Sequence, residues 1–405
     1  MKCKILVKLL PIFIFYMVVC VVCVEKKLDH DQLRYAQHAK NLSQGFYAPS
    51  DSLFLYSGPG YPLLLTPFAV ADVPLWWAKF LNPILLWVAI CFVYFTLREY
   101  MSPGMSLLGS YVLGMYGPFL VEMTKLLTEP LAIFLIAGFC FFVVKGFRNG
   151  RYRYILAAGL FGGYLILTKI FFAYVVTFAL IVSILRLRWS ISCRKMILIY
   201  GVSLFFCLPY LAYTYCLTGK FFYWANSGGL MLYWMTTPYA QEYGSYVDPR
   251  RAFDDERLHR HREIFEKISG LNYVEQDEFL KEKSFSNIRR YPGKYLFNIA
   301  ANIGRMWYDY PFTYKYQRPH TLFYMVPNSF LLVSSVFCLY PLWKRRGNIP
   351  GELLSLIFFV LVFLSGSLIV STDTRYFLPA VPILIIMIFF TASNLLKIEL
   401  DSDNL

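Results

Sequence analysis

Apolar runs of spanning length recur from one end of the chain to the other, separated by short polar stretches. Runs near twenty residues are long enough to cross a bilayer as helices. They predict ten such helices, over residues 4–24, 75–97, 104–121, 129–145, 154–168, 170–186, 196–217, 321–343, 351–371 and 376–396. The fifth and sixth are short and share the hinge Thr168-Lys169. Two polar interruptions stand out, residues 25–74 and 218–320. The expected organisation is a membrane core over 1–217 that carries a first outer loop (25–74), an extra-cytoplasmic and mainly helical region over 218–320, and C-terminal spans with a short cytoplasmic tail over 321–405. The fold class is all-α and polytopic. No internal repeat and no low-complexity linker divides the chain.

Composition agrees with a membrane class. The chain is 58% hydrophobic and only 16% charged, where soluble domains carry about 25% charged residues. A net charge of +14 would suggest nucleic acid in a soluble protein. Here the basic residues cluster in short loops, Lys145/Arg148/Arg151/Arg153, Arg186/Arg188/Arg194/Lys195 and Lys344/Arg345/Arg346. With the N-terminus inside, all fall on one side of a ten-span map, as cytoplasmic loops require. Nucleic acid drops out as a partner; membrane lipid takes its place. The Asp31 loop, residues 121–128, 218–320 and 371–375 then share the opposite face. Most of the nine cysteines lie inside spans and pack as small apolar residues. The first run lacks a small-x-small cleavage site and reads as an uncleaved signal anchor. No histidine pair has zinc-ligand spacing and no glycine loop cradles a phosphate, so neither a metal nor a nucleotide cofactor is expected.

Chemistry concentrates at the rim of that outer face. Asp31-Gln32-Leu33-Arg34-Tyr35-Ala36 follows the first apolar run, with Asp31 and Tyr35 one helical turn apart. Asp31 suits a helix N-cap as well as a catalytic carboxylate, and Asp29 competes with it. Glu129 precedes Pro130 at the start of the fourth run, where an acid also favours the positive helix end. Lys125, Lys169 and Arg375 stand at the same level. Each can snorkel from the bilayer or hold a phosphate, and Asp373 offers Arg375 a local partner.

Four stretches together resemble the GT-C glycosyltransferases that use lipid-phosphate sugars, in particular protein O-mannosyltransferases and lipid A aminoarabinose transferases. They are Asp31-x-x-x-Tyr35-Ala36, Gly58-Pro59-Gly60-Tyr61-Pro62, Leu127-Thr128-Glu129-Pro130, and Asp373-Thr374-Arg375-Tyr376-Phe377-Leu378-Pro379 followed by Pro382. Weaker echoes are Gly228-Gly229…Trp234…Pro238 and Asn302-x-x-Arg305. The resemblance implies a polyprenyl-phosphate-linked sugar as donor and a hydroxyl on a glycan, lipid or protein as acceptor. It implies inverting transfer with Asp31 as general base. Tyr35, Tyr61, Lys125, Glu129, Lys169, Arg375 and Tyr376 would stand about the substrates. A bacterial inner membrane with the site facing outward is the expected location. A polysaccharide polymerase or a lipid-linked-sugar flippase are the rival readings, although transporters place ionisable residues mid-span and these spans are nearly free of charge. Two departures bear on substrate. Ser57 and Gly58 stand where aminoarabinose transferases place a lysine. Trp76-Trp77 is followed by Ala78, not the aspartate of oligosaccharyltransferases.

Overall fold

The computed structural model describes residues 2–186, 191–317, 319 and 321–396; Arg188, His320 and residues 397–405 of the tail lie outside the described residues. Among the described residues the regular elements are all helical, with no strand. Six helices are long and apolar enough to cross a membrane: Ile5–Cys23, Leu75–Leu97, Glu129–Asn149, Thr321–Lys344, Gly351–Leu368 and Thr374–Asn394. A seventh candidate is the pair Cys193–Phe206 and Leu208–Thr218, bent by 45°.

The count of ten is not reproduced, and helix length is the reason. The run at 104–121 splits into Pro103–Gly114 and Pro118–Met123 around Gly117-Pro118. A 12-residue helix is only about 18 Å long, against about 30 Å of hydrocarbon. Tyr152–Thr168 and Phe171–Leu185 are 17 and 15 residues long. They stop on either side of Lys169, which is extended as the sequence hinge suggested. The loop over 25–74 also holds a short apolar helix, Gly60–Val70, that periodicity did not separate from it.

Glu129–Asn149 sits at the centre, packed on Leu81–Leu97 and Tyr152–Thr168. Small residues permit close approach between apolar helices, where lipid supplies no hydrophobic drive. A Cβ on Gly159 would meet Val202 at 2.4 Å, and Ser203 Oγ donates to the Gly159 carbonyl at 3.0 Å. On the other side, Phe172 stacks on Phe363 with ring centroids 4.5 Å apart, joining Phe171–Leu185 to Gly351–Leu368. Such a pair adds roughly 0.5–1.5 kcal/mol beyond area burial.

The region between the last two groups of spans has its own small core. Tyr233, Trp234, Val247, Leu258, Phe265 and Leu280 bury together, apart from the membrane cluster. At its heart Tyr233 Oη and Glu242 Oε1 bracket the buried His261 ring at 2.6 and 2.9 Å. Helix Tyr273–Arg290 opens with a capping box, Asn272 and Glu275, which satisfies orphan amides at both positions.

Candidate active site

Helix His30–Ser43 brings the first carboxylate into place. Its N-cap is Asp29, in extended conformation, so Asp31 falls in the first turn and is free to face away from the helix end. The helix buries Gln32, Tyr35, Ala36 and Ala39 against the membrane core. Gln32 pins it: the Leu126 amide donates to Gln32 Oε1 at 2.9 Å, and Gln32 Nε2 donates to Asp29 Oδ1 at 2.6 Å. Asp29 is thereby engaged within its own helix, and it does not line the cavity described below. Below Asp31, His38 lies between Tyr47 and Phe54, centroids at 4.4 and 5.5 Å. Burial pushes its imidazole down to about 4, so it stays neutral.

Gly58-Pro59-Gly60 lies against the end of helix Tyr152–Thr168. A Cβ at Gly58 would stand 2.1 Å from the Leu167 carbonyl oxygen, and one at Gly60 would stand 2.7 Å from backbone atoms of Leu167 and Thr168. Only glycine permits that approach. It brings Lys169, the next residue after Thr168, beside the 25–74 loop.

Asp373 and Arg375 sit on a short turn held from behind. Asn302 Nδ2 donates to the carbonyls of Ser367, Leu368 and Val370, while its Oδ1 accepts from the Thr372 amide at 3.2 Å. Arg305 is fully buried and donates to the carbonyls of Thr372, Tyr243 and Pro311 and to Asn302 Oδ1. Asp373 Oδ1 then caps the turn by accepting from the Arg375 amide at 3.0 Å. An arginine with that many carbonyl acceptors is a clamp on the backbone.

These elements enclose a cavity of ≈ 1140 Å³. Its polar end carries Asp31, Arg34, Glu129, Lys169, Asp373 and Arg375. Its other wall is apolar, built by Phe171, Val175 and Phe178 facing Phe358, Leu361 and Val362. Lys281, Lys315 and Gly228 border it from the 218–320 region. Arg375 reaches Asp31 Oδ2 at 3.1 Å and Asp373 Oδ2 at 3.4 Å; Arg34 reaches Asp31 Oδ1 at 3.1 Å. Burial alone would raise the Asp31 carboxyl, but the Arg34 and Arg375 charges outweigh it and hold it below the usual carboxylate range. Deeper in, Lys169 Nζ pairs with Glu129 Oε1 at 2.9 Å and lies 5.2 Å over the Tyr376 ring.

Of the residues singled out from sequence, Asp31, Tyr35, Glu129, Lys169, Arg375 and Tyr376 all line this cavity. Tyr61 stands behind it, buried, its ring edge-on to Tyr35 at 5.2 Å. Lys125 is turned elsewhere, pairing with Glu122 Oε1 at 3.3 Å while Asn82 holds its carbonyl.

Sequence reasoning passed over two groups. Arg34 Nε donates to Ser57 Oγ at 3.0 Å and its guanidinium lies 4.7 Å over Tyr56. A cation therefore stands beside Ser57, supplied from helix His30–Ser43. The signal was the hydroxyl at Ser57, which needs a partner. Glu122 is the other. It is 2% exposed and its Oε2 has no partner. Burial, then the Glu129 charge, push its carboxyl up to about 7 in spite of Lys125.

No family model and no curated protein matches the sequence. Solved structures do. The oligosaccharyltransferase AglB from Archaeoglobus fulgidus, in complex with an inhibitory peptide and a dolichol-phosphate, matches 94% of this chain at 12% identity with a TM-score of 0.52. The apo form of the Archaeoglobus fulgidus oligosaccharyltransferase matches the same share at 12% identity with a TM-score of 0.54. The fold is of the GT-C type. This chain covers only 50% of either neighbour, so it spans half their length. ArnT from Cupriavidus metallidurans, bound to undecaprenyl phosphate, matches at 11% identity and a TM-score of 0.45, over 95% of this chain and 77% of ArnT.

Proposed function

We propose that this protein is a membrane glycosyltransferase that moves a sugar from a polyprenyl-phosphate carrier to an acceptor hydroxyl, with inversion, on the extra-cytoplasmic side. The observation that carries this reading is the Asp31–Arg375 contact, made across 344 residues at the polar end of a half-apolar cavity. The apolar wall between two membrane helices suits an isoprenoid tail, and the guanidinium and ammonium groups at its head suit one phosphate. The dolichol-phosphate in the AglB complex supports the same class of donor for this fold.

At rest Asp31 is held by two arginines. A donor phosphate competes for Arg375, and Asp31 then keeps only Arg34 and becomes a stronger base. Its carboxylate takes the proton of the acceptor hydroxyl while that oxygen attacks the anomeric carbon. The bond from that carbon to the phosphate oxygen breaks, and the polyprenyl phosphate leaves with both electrons. Arg375 and Lys169 receive the charge that develops on it. A phosphate needs no proton to leave, so the second carboxylate that glycoside hydrolysis requires as an acid has no counterpart here. Glu129 orients Lys169.

The test is turnover by purified protein in lipid nanodiscs with a fluorescent polyprenyl-phosphate sugar. Asp31→Asn is expected to bind the donor and not transfer it; near-normal turnover would remove Asp31 from the role. For sidedness, Ser50→Cys should react with an impermeant thiol reagent on intact cells and Gly347→Cys only after lysis. The reverse pattern would put the site in the cytoplasm.

A further inference from the structure

Helix Pro292–Tyr308 wears its polarity inside out. Its exposed positions are Pro292, Gly293, Leu296, Phe297, Ala300 and Ile303, a single face at helical spacing. Its buried face carries Asn298, Asn302 and Arg305, all at 0% exposure, with Met306 the one apolar side chain buried beside them, while Leu296 is 65% and Phe297 50% exposed. A surface helix in water does the opposite, turning its apolar stripe inward. The polar face is already accounted for: Asn302 and Arg305 clamp the turn that bears Asp373 and Arg375.

The outward face continues the membrane surface of the protein. Tyr295 Oη donates to the Ile369 carbonyl at 2.9 Å, just past the end of the Gly351–Leu368 helix, and Ile369 is itself exposed. Immediately before the helix, Arg289 and Arg290 are exposed. Basic residues beside an apolar helical face are the pattern of helices that lie in a bilayer interface.

We propose that this helix lies in the lipid interface on the active-site side, with Leu296, Phe297, Ala300 and Ile303 among acyl chains and Arg289 and Arg290 at the headgroup phosphates, and that this lipid contact seats the Asn302–Arg305 clamp on the Arg375 turn. The lipid contact stands whatever reaction the site performs; its effect on donor binding rests on the proposed glycosyl transfer. A second copy of this chain, or a protein partner, would be the other occupants of such a face. Continuity with the lipid-facing end of a span and the flanking arginines favour lipid.

The experiment replaces Leu296, Phe297 or Ile303 one at a time with the photoreactive p-benzoylphenylalanine. The full-length protein is reconstituted in vesicles of phosphatidylethanolamine and phosphatidylglycerol and irradiated. Lipid adducts are expected by mass spectrometry at all three positions and not at Glu266, which is exposed on the outer region. Cross-links to a second copy, or no lipid adduct at any of the three, would overturn the proposal. For the clamp, Leu296→Glu/Ile303→Glu is expected to weaken binding of polyprenyl phosphate several-fold, and Leu296→Met/Ile303→Met to leave it unchanged. Lipid adducts with full donor affinity in the glutamate variant would sink the link to the clamp. Lipid adducts in a protein that transfers no sugar would leave the membrane contact standing and remove the reaction.

Discussion

Two carboxylate–cation pairs line the same cavity in different surroundings. Glu129–Lys169 is almost sealed, the acid 3% and the base 13% exposed. Asp31–Arg375 is open, with both side chains at 30%. Each has a neighbour, but of opposite kinds. Beyond Lys169, Glu129 takes a long hydrogen bond from Thr128 at 3.4 Å and no second ion pair among the described residues, whereas Asp31 and Arg375 each keep a second ion-pair partner, Arg34 and Asp373. A sealed pair cannot exchange partners without stranding a charge in low dielectric. An open pair with spare partners can. The first holds a lysine in position, and the second is where a phosphate and a hydroxyl can enter.

The sharpest way to break that contrast is Asp31→Asn. Removing a positioned base typically costs about 10²–10⁴-fold in rate, so turnover should collapse with little change in melting temperature. Asp29→Asn, whose partner is Gln32, should keep nearly full turnover. A large loss of stability in Asp31→Asn would make the open pair structural like the sealed one.

Next comes Glu129→Gln. Breaking a buried pair from one side costs about 3–5 kcal/mol, and this should appear as a lower unfolding midpoint in nanodiscs. The double variant Glu129→Gln/Lys169→Met should recover much of it, because no charge is left unpaired. An unchanged midpoint in Glu129→Gln would mean the pair is not sealed.

Smaller effects follow for Arg375. Arg375→Ala should weaken polyprenyl-phosphate binding by roughly ten-fold or more, the worth of a charge-assisted hydrogen bond of about 1.5–3 kcal/mol. Arg375→Lys should lose less, keeping charge without the bidentate fork. Equal losses in Asp373→Ala and Arg375→Ala, with no further loss in the double variant, would make the arginine a loop brace.

The mildest effect concerns Glu122, which feels charges from both pairs, Glu129 and Arg375. Its folded carboxyl is raised to about 7 from 4.5. Between those values the folded protein holds a proton that the unfolded chain has released, so its contribution to stability is present at low pH and falls as pH rises from about 4.5 to about 7. Unfolding midpoints measured across that range should show the decline, and Glu122→Gln should remove it. A decline unchanged in Glu122→Gln would assign it to another group.

Much of this was legible in the chain. The Asp31 run, the Gly58-Pro59-Gly60 run and the short Asp373–Tyr376 loop were each visible as local patterns, because helix starts, Gly-Pro turns and short loops are written in neighbouring residues; that Gly58 and Gly60 would lie against Leu167 and Thr168 was not. Six of the eight site residues named from the sequence meet in one cavity. Lys125 does not, because position at the same membrane level says nothing of rotation about the helix axis.

The sequence alone determined a polytopic α-helical membrane chain, through apolar runs that no soluble core requires, and it determined which residues could cap, pair or bind a phosphate. It did not determine how many runs cross. Hydropathy cannot see the break at Gly117-Pro118 or the 45° bend before Leu208. Tertiary structure alone decided that Arg34 would serve Ser57, that Asn302 and Arg305 would clamp a turn about 70 residues away, and that Arg375 would choose between two aspartates. Those choices depend on side-chain distances that packing sets, and a carboxylate's partner is decided by what stands within about 4 Å of it.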